Sequence, residues 1–180
     1  MRGKSKTLEI FLDATTIERR VKELAADIDR TYAAERPLFV VVLKGGFVFA
    51  SDLIRAVTVP IEIEFIGVRS YGAGTSSTGA VEITYDLPRA IEGRHVLLVE
   101  DIVDTGLTAR FLLDHLMLQR PATLRLCSLL YKPTRAVMKV PIDFLGFKVP
   151  NRFIVGYGLD LDEQYRDLDY LGFIDIDATK

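Results

Sequence analysis

The sequence predicts an α/β fold with a central, mostly parallel sheet flanked by helices. Two runs rich in apolar residues, Leu38-Phe39-Val40-Val41-Val42-Leu43 and His95-Val96-Leu97-Leu98-Val99-Glu100, carry the prediction, because strands without polar alternation are those covered on both faces. Each run is followed by a loop and then a helical pattern, and strand-turn-helix twice over implies parallel crossovers. At 180 residues and 49% hydrophobic composition the chain is long enough to bury one core, so a single domain over residues 1–180 is expected.

The elements follow in order. LEIF at residues 8–11 reads as a short strand. Thr15-Thr16-Ile17-Glu18 reads as a capping box, and Ile17, Val21, Leu24 and Ile28 share one face of an amphipathic helix ending near Ala34. The 38–43 strand is broken by Lys44-Gly45-Gly46, after which FVFASDLIRAV continues as a helix. PIEIEFIGV is a strand, and the Gly/Ser/Thr-rich stretch 71–80 is too polar to bury and reads as a mobile flap spanning about 69–80. The 95–100 strand feeds a loop and a helix at 105–118, and the apolar run 123–131 makes another central strand. FLGFKV and RFIVGYG, separated by Pro150 and Asn151, read with the N-terminal strand as a small hood from about 143–175, set on a core of about 35–140.

Composition excludes several function classes. The 25 acidic and 23 basic residues give a net charge of −2, with no long basic stripe, so nucleic acid is not expected as a partner. Cys127 is the one cysteine and lies in an apolar run, which rules out an internal disulfide and a cysteine-rich metal site. The basic start lacks an apolar signal region and no stretch has the length of a membrane span, so a cytoplasmic protein without membrane contact is expected.

The chemistry concentrates at the end of the 95–100 strand. Glu100 and Asp101, then Asp104, precede Thr105-Gly106-Leu107-Thr108 at a helix start, and ligands of open α/β sheets bind outside the carboxyl ends of strands. Backbone N–H groups, the two threonine hydroxyls and a glycine form an anion cradle suited to a terminal phosphate. Carboxylates this close repel unless cations or hydroxyl donors join them, a demand that sugar hydroxyls and Mg²⁺ would meet. By residue type alone, Asp101 and Asp104 could instead cap a turn and a helix.

The run VEDIVDTGLT at residues 99–108 closely resembles the phosphoribosyl-diphosphate (PRPP) signature of type I phosphoribosyltransferases. LKGG, RSY, YK and the tail RFIVGYGLDLDEQYRDLDYLGFI resemble the hypoxanthine(-guanine) phosphoribosyltransferases, over roughly residues 8–175. The resemblance implies that fold, with Glu100 and Asp101 holding the ribose hydroxyls and Mg²⁺, and Thr105, Gly106, Leu107 and Thr108 binding the 5′-phosphate. It implies that Asp104 is the base toward purine N7. Lys44, Gly45 and Gly46 would form a pyrophosphate loop with a cis peptide between Leu43 and Lys44; read alone, the same three residues could equally make an ordinary left-handed turn.

Lys132 resembles the donor to the purine 6-oxo group, and a donor-only side chain disfavours adenine's 6-amino group. Phe153 resembles the aromatic that stacks on the purine, with Ile154 offering backbone contacts. Asp160 resembles a purine-site acid that also serves Mg²⁺, and Arg166 a pyrophosphate-binding guanidinium. Arg69, Ser70 and Tyr71 resemble the flap that closes over the reacting centre and excludes water. Without the resemblance, Lys132 reads as a surface residue, Phe153 as core, and Asp160 and Arg166 as solvated charges.

The implied activity is purine salvage. PRPP and hypoxanthine or guanine give IMP or GMP and pyrophosphate through an oxocarbenium-like transition state. Alternatives are a xanthine-accepting enzyme of the same fold and a PRPP-sensing regulator, though neither a DNA-binding domain nor a basic RNA-binding face is evident. A homo-oligomer, dimer or tetramer, is expected.

Overall fold

The computed structural model describes residues 8–70 and 81–175, with the backbone alone at Ser70. Its main layer is a six-stranded sheet in the order β4-β3-β2-β5-β6-β7. The strands are β2 (Leu38–Leu43), β3 (Glu62–Ser70), β4 (Val81–Tyr85), β5 (His95–Val103), β6 (Thr123–Tyr131) and β7 (Phe144–Lys148). All pairings are parallel except the β3–β4 edge. A second sheet, β1-β9-β8, joins β1 (Leu8–Leu12) to β8 (Ile154–Val155) and β9 (Leu171–Ile174).

Alternation along the buried strands divides the core into two layers. Phe39, Val41, Leu97, Val99 and Cys127 face α1 (Ala14–Thr31) and α2 (Phe47–Ala56). Val40, Val42, Val96, Leu98 and Leu126 face α3 (Leu107–Met117). Both faces of β2 and β5 are thereby covered, which is why these strands read as unbroken apolar runs.

Sheet order creates the place for a site. The chain leaves β2 toward β3 and leaves β5 toward β6, although β2 and β5 are neighbours. Their carboxyl ends therefore open onto a crevice at the switch in strand order, where α/β sheets bind ligands. Lys44 follows one strand and Glu100 to Val103 complete the other.

Several local expectations change. Asp13 caps α1, its carboxylate accepting from Thr16 N at 2.7 Å, so the cap falls two residues before Thr15 and the helix stops at Thr31. An aspartate before the first turn satisfies an orphan N–H there, and Thr15 is already helical. The 144–148 run pairs in parallel with β6 as the sheet's edge strand and is not part of the small sheet. Gly146 makes this possible, because a Cβ there would lie 2.3 Å from Leu129 O. β4 and β9 are additional strands. No helix among the described residues is long and apolar enough to cross a membrane.

Candidate active site

Glu100 and Asp101 sit side by side at the crevice, and burial governs both. Glu100 is 4% exposed, and its Oε1 has no hydrogen-bond partner. Burial, then the neighbouring Asp101 charge, pushes the Glu100 carboxyl well above its ordinary range. Burial likewise pushes Asp101 up to about 6, with the Ile102 N–H at 2.9 Å and the Arg166 charge working against that rise. An adjacent acid pair this short of donors is built to receive cations or hydroxyls.

The loop after β2 closes over that pair. The Leu43–Lys44 peptide is cis, as the resemblance implies. A Cβ on Gly45 would lie 1.7 Å from Asp101 Oδ2, so only glycine lets the carboxylate pack beneath the loop. Gly46 has φ −69 and Gly45 is not left-handed either, so the glycines serve close approach and not a left-handed turn. Gly158, with φ +98, backs the loop from the other side, and a Cβ on it would meet Gly45 O at 2.3 Å.

Asp104 lies between two cations. Lys132 is buried and donates from Nζ to Asp104 Oδ2 at 3.2 Å. Arg135 Nε approaches Asp104 Oδ1 to 2.8 Å, but its N–H is not aimed at that oxygen, which keeps ion-pair proximity without a hydrogen bond. The turn from Lys132 to Arg135 is closed by Arg135 N donating to Lys132 O at 3.1 Å. Lys132 itself is placed by its N–H on Val103 O at 3.0 Å, so it stands beside the end of β5.

The segment after Asp104 enters α3 through Gly106, at φ +83. The helix therefore begins at Leu107 and not at Thr105. Val137 N and Met138 N both donate to Thr105 O at 3.0 Å, fixing the cradle from outside, and a Cβ on Gly106 would strike Met138 O at 2.1 Å. Thr105 and Thr108 line a cavity of about 250 Å³ with Glu100, Asp101, Asp104 and Gly45. An adjoining cavity of about 500 Å³ is lined by Asp101, Asp104, Lys132, Phe153, Ile154 and Asp160, among others. Asp101, Ile102 and Asp104 belong to both. A third space of about 450 Å³ between α1, α2 and Tyr157 contains none of the acid loop.

Asp160 and Arg166 form an ion pair at 2.8 Å, and Arg166 also donates to Gly158 O at 2.8 Å. Lys44 Nζ donates to both oxygens of Glu163 at 3.1 Å. The structure thus gathers Glu100, Asp101, Asp104, Lys132, Phe153 and Asp160 around two joined cavities, whereas Lys44 and Arg166 line a separate space of about 460 Å³ with Glu163, Phe47 and Phe65. Arg69 and Ser70 end β3 opposite Glu82 and Val81 of β4, while Tyr71 and 72–80 lie outside the described residues. Arg135, Gly158 and Glu163 were missed. The Gly-Tyr-Gly spacing could have marked Gly158, whereas Arg135 carries no local signal.

Fold and site together define an α/β protein of the type I phosphoribosyltransferase architecture. The model of the phosphoribosyl transferase domain matches residues 7–162. A hypoxanthine-guanine phosphoribosyltransferase of Mycobacterium avium is 48% identical, over 92% of this chain and 85% of that protein. A hypoxanthine phosphoribosyltransferase of Haemophilus influenzae is 40% identical, over 94% of this chain and 96% of that one. The crystal structure of a hypoxanthine-guanine phosphoribosyltransferase from Bacillus anthracis, with HEPES in its active site, matches with a TM-score of 0.88 at 41% identity, covering 93% of this chain and 98% of that one. The chain belongs to the phosphoribosyltransferase family, within its hypoxanthine(-guanine) group.

Proposed function

We propose that the protein transfers the 5-phosphoribosyl group of PRPP to N9 of hypoxanthine or guanine, releasing pyrophosphate. The observation that carries this reading is the meeting of two cavities at Asp101, Ile102 and Asp104, one beside an anion cradle and one walled by Phe153 and Lys132. A sugar phosphate in the first and a planar base in the second would bring their reacting atoms together at the shared residues.

Each residue then has a distinct task. Thr105, Gly106, Leu107 and Thr108 bind the 5′-phosphate, and Glu100 and Asp101 receive the ribose hydroxyls, which gives the partnerless Glu100 Oε1 its donor. Phe153 stacks on the purine, Ile154 offers backbone contacts, and Lys132 donates to the 6-oxo group. Asp104 accepts the N7 proton while N9 attacks C1′, and Lys132, 3.2 Å away, ties this carboxylate to the same base. Lys44, Gly45, Gly46 and Arg166 bind the departing pyrophosphate. Arg69, Ser70 and Tyr71 belong to a flap that excludes water.

Mg²⁺ fits the donor set. Among the described residues no cluster of three metal-ligating side chains exists, and Glu100 with Asp101 supplies two carboxylates. That suits an ion which keeps waters and substrate oxygens and takes only one or two protein carboxylates. Glu100 and Asp101 would hold it, and when bound it would neutralise charge on the diphosphate, while Asp160, paired with Arg166, would serve a second such ion.

Incubation with PRPP, Mg²⁺ and each base in turn tests the reading. Nucleotide should form from hypoxanthine or guanine and hardly from adenine, and no product from any 6-oxopurine would overturn it. Running xanthine in parallel ranks the acceptor. A cytoplasmic location is part of this proposal, and so is a homo-oligomer, for which the exposed Phe47 and Phe65 near the Lys44 loop offer apolar surface; light scattering on the eluting protein reads the subunit count.

A further inference from the structure

Glu163 is an anion placed where the proposed chemistry needs cations free. Its two carboxylate oxygens accept from Lys44 Nζ, each at 3.1 Å, and Oε2 lies 3.3 Å from Arg166 Nη2. These are the two charged side chains that bind pyrophosphate in the reading above. The geometry around Glu163 holds it in place: its N–H donates to Asp160 Oδ2 at 2.9 Å, and it has φ +62 beside Asp162 at φ +52. Asp160 in turn pairs with Arg166 at 2.8 Å, so one short loop carries both the anion and the cation it meets. The Lys44 contact is the first cause holding the Glu163 carboxyl below its ordinary range, so it is charged at neutral pH.

We propose that Glu163 is a tethered competitor of pyrophosphate, occupying Lys44 and Arg166 in the ligand-free protein and yielding them when a diphosphate enters. A carboxylate that spans two cations offers them what a bridging phosphate oxygen would, at an effective concentration set by the loop. The apparent affinity for diphosphate is then the intrinsic affinity reduced by the fraction of molecules in which the cations are free. Glu163 is well exposed and so is Lys44, which makes the contact weak enough to be displaced. The consequence is a site that binds PRPP through its other contacts but does not retain pyrophosphate once the C1′ bond has broken. Glu163 sets product release without touching the reacting atoms.

This inference rests on Lys44 and Arg166 being the pyrophosphate site, so the test separates the two. Pyrophosphate is titrated into the full-length protein at constant Mg²⁺ by calorimetry, and its product inhibition is measured alongside. Glu163→Gln should tighten pyrophosphate about two- to fivefold, the range for releasing one exposed ion-pair partner. Lys44→Gln and Arg166→Gln should weaken it. Weakening in those two with no tightening in Glu163→Gln overturns the competitor and leaves the site. Unchanged pyrophosphate affinity in Lys44→Gln and Arg166→Gln overturns the site itself. Glu163→Asp, one methylene shorter, should reproduce part of the tightening, and wild-type affinity in both Glu163 variants counts against the proposal.

Discussion

At the scale of single residues, the acid loop divides its work between carboxylates whose surroundings differ. Asp104 lies between Lys132 and Arg135, while Glu100 is buried with a partnerless oxygen and the half-buried Asp101 accepts from the Ile102 N–H. Asp104→Asn keeps the size and removes the base. It is expected to lower turnover by about a hundredfold to ten-thousandfold while PRPP binding, read by calorimetry, survives. Asp101 carries a pH-dependent cost. Burial lifts its folded-state value from 3.8 to about 6, so the folded protein holds this proton more tightly than the unfolded chain does. The folded state therefore loses stability as pH rises between those values. Asp101→Asn, neutral throughout, should raise the Tm of ligand-free protein near pH 7.5 and leave it almost unchanged near pH 4, with activity lost. Equal shifts at both pH values would remove the electrostatic account.

At the scale of elements, the site depends on backbone segments packed too closely for a side chain. The loop after β2 lies on Asp101, and Gly158 lies on that loop. Gly158→Ala places a Cβ 2.3 Å from Gly45 O and imposes φ +98 on an alanine. It should cost more than about 1 kcal/mol of stability and raise KM for PRPP, while far-UV circular dichroism stays that of the wild type. An unaltered KM would mean that Gly158 does not position the loop.

Much of this level was legible, because the β2 and β5 runs are apolar on both faces and Lys44-Gly45-Gly46 and Asp104 to Thr108 interrupt them abruptly. The long-range partners were not. Arg135 reaches Asp104 only because β6 lies beside β5, and Gly158 reaches Gly45 from the turn that follows β8. FLGFK was misplaced for a related reason: a five-residue strand carries no mark of which sheet will pair with it, and the deciding contact is Gly146 against Leu129. Likewise the α1 cap went to Thr15 because a Ser/Thr-x-x-Glu pattern and an aspartate two residues earlier both satisfy a first turn.

At the scale of the whole molecule, the sheet order places two strand ends around an acid pair that the protein does not neutralise, so folding and ligand binding are coupled. Any ligand that binds the folded state alone stabilises it by mass action, about 2.7 kcal/mol at a hundredfold excess over Kd. For a chain of this size each kcal/mol moves Tm by about 2 to 4 °C, so saturating PRPP with Mg²⁺ should raise Tm by roughly 5 to 11 °C. The increment should be larger near pH 7.5 than near pH 5, because below about 6 Asp101 is protonated in the folded protein and offers a cation less charge. Chelating Mg²⁺ should remove most of the shift, since PRPP alone would bring further negative charge to Glu100 and Asp101. Differential scanning fluorimetry with PRPP, with and without chelator, at both pH values reads all of this. A full shift that survives chelation would mean that the acid pair is not where the metal-bound sugar phosphate sits.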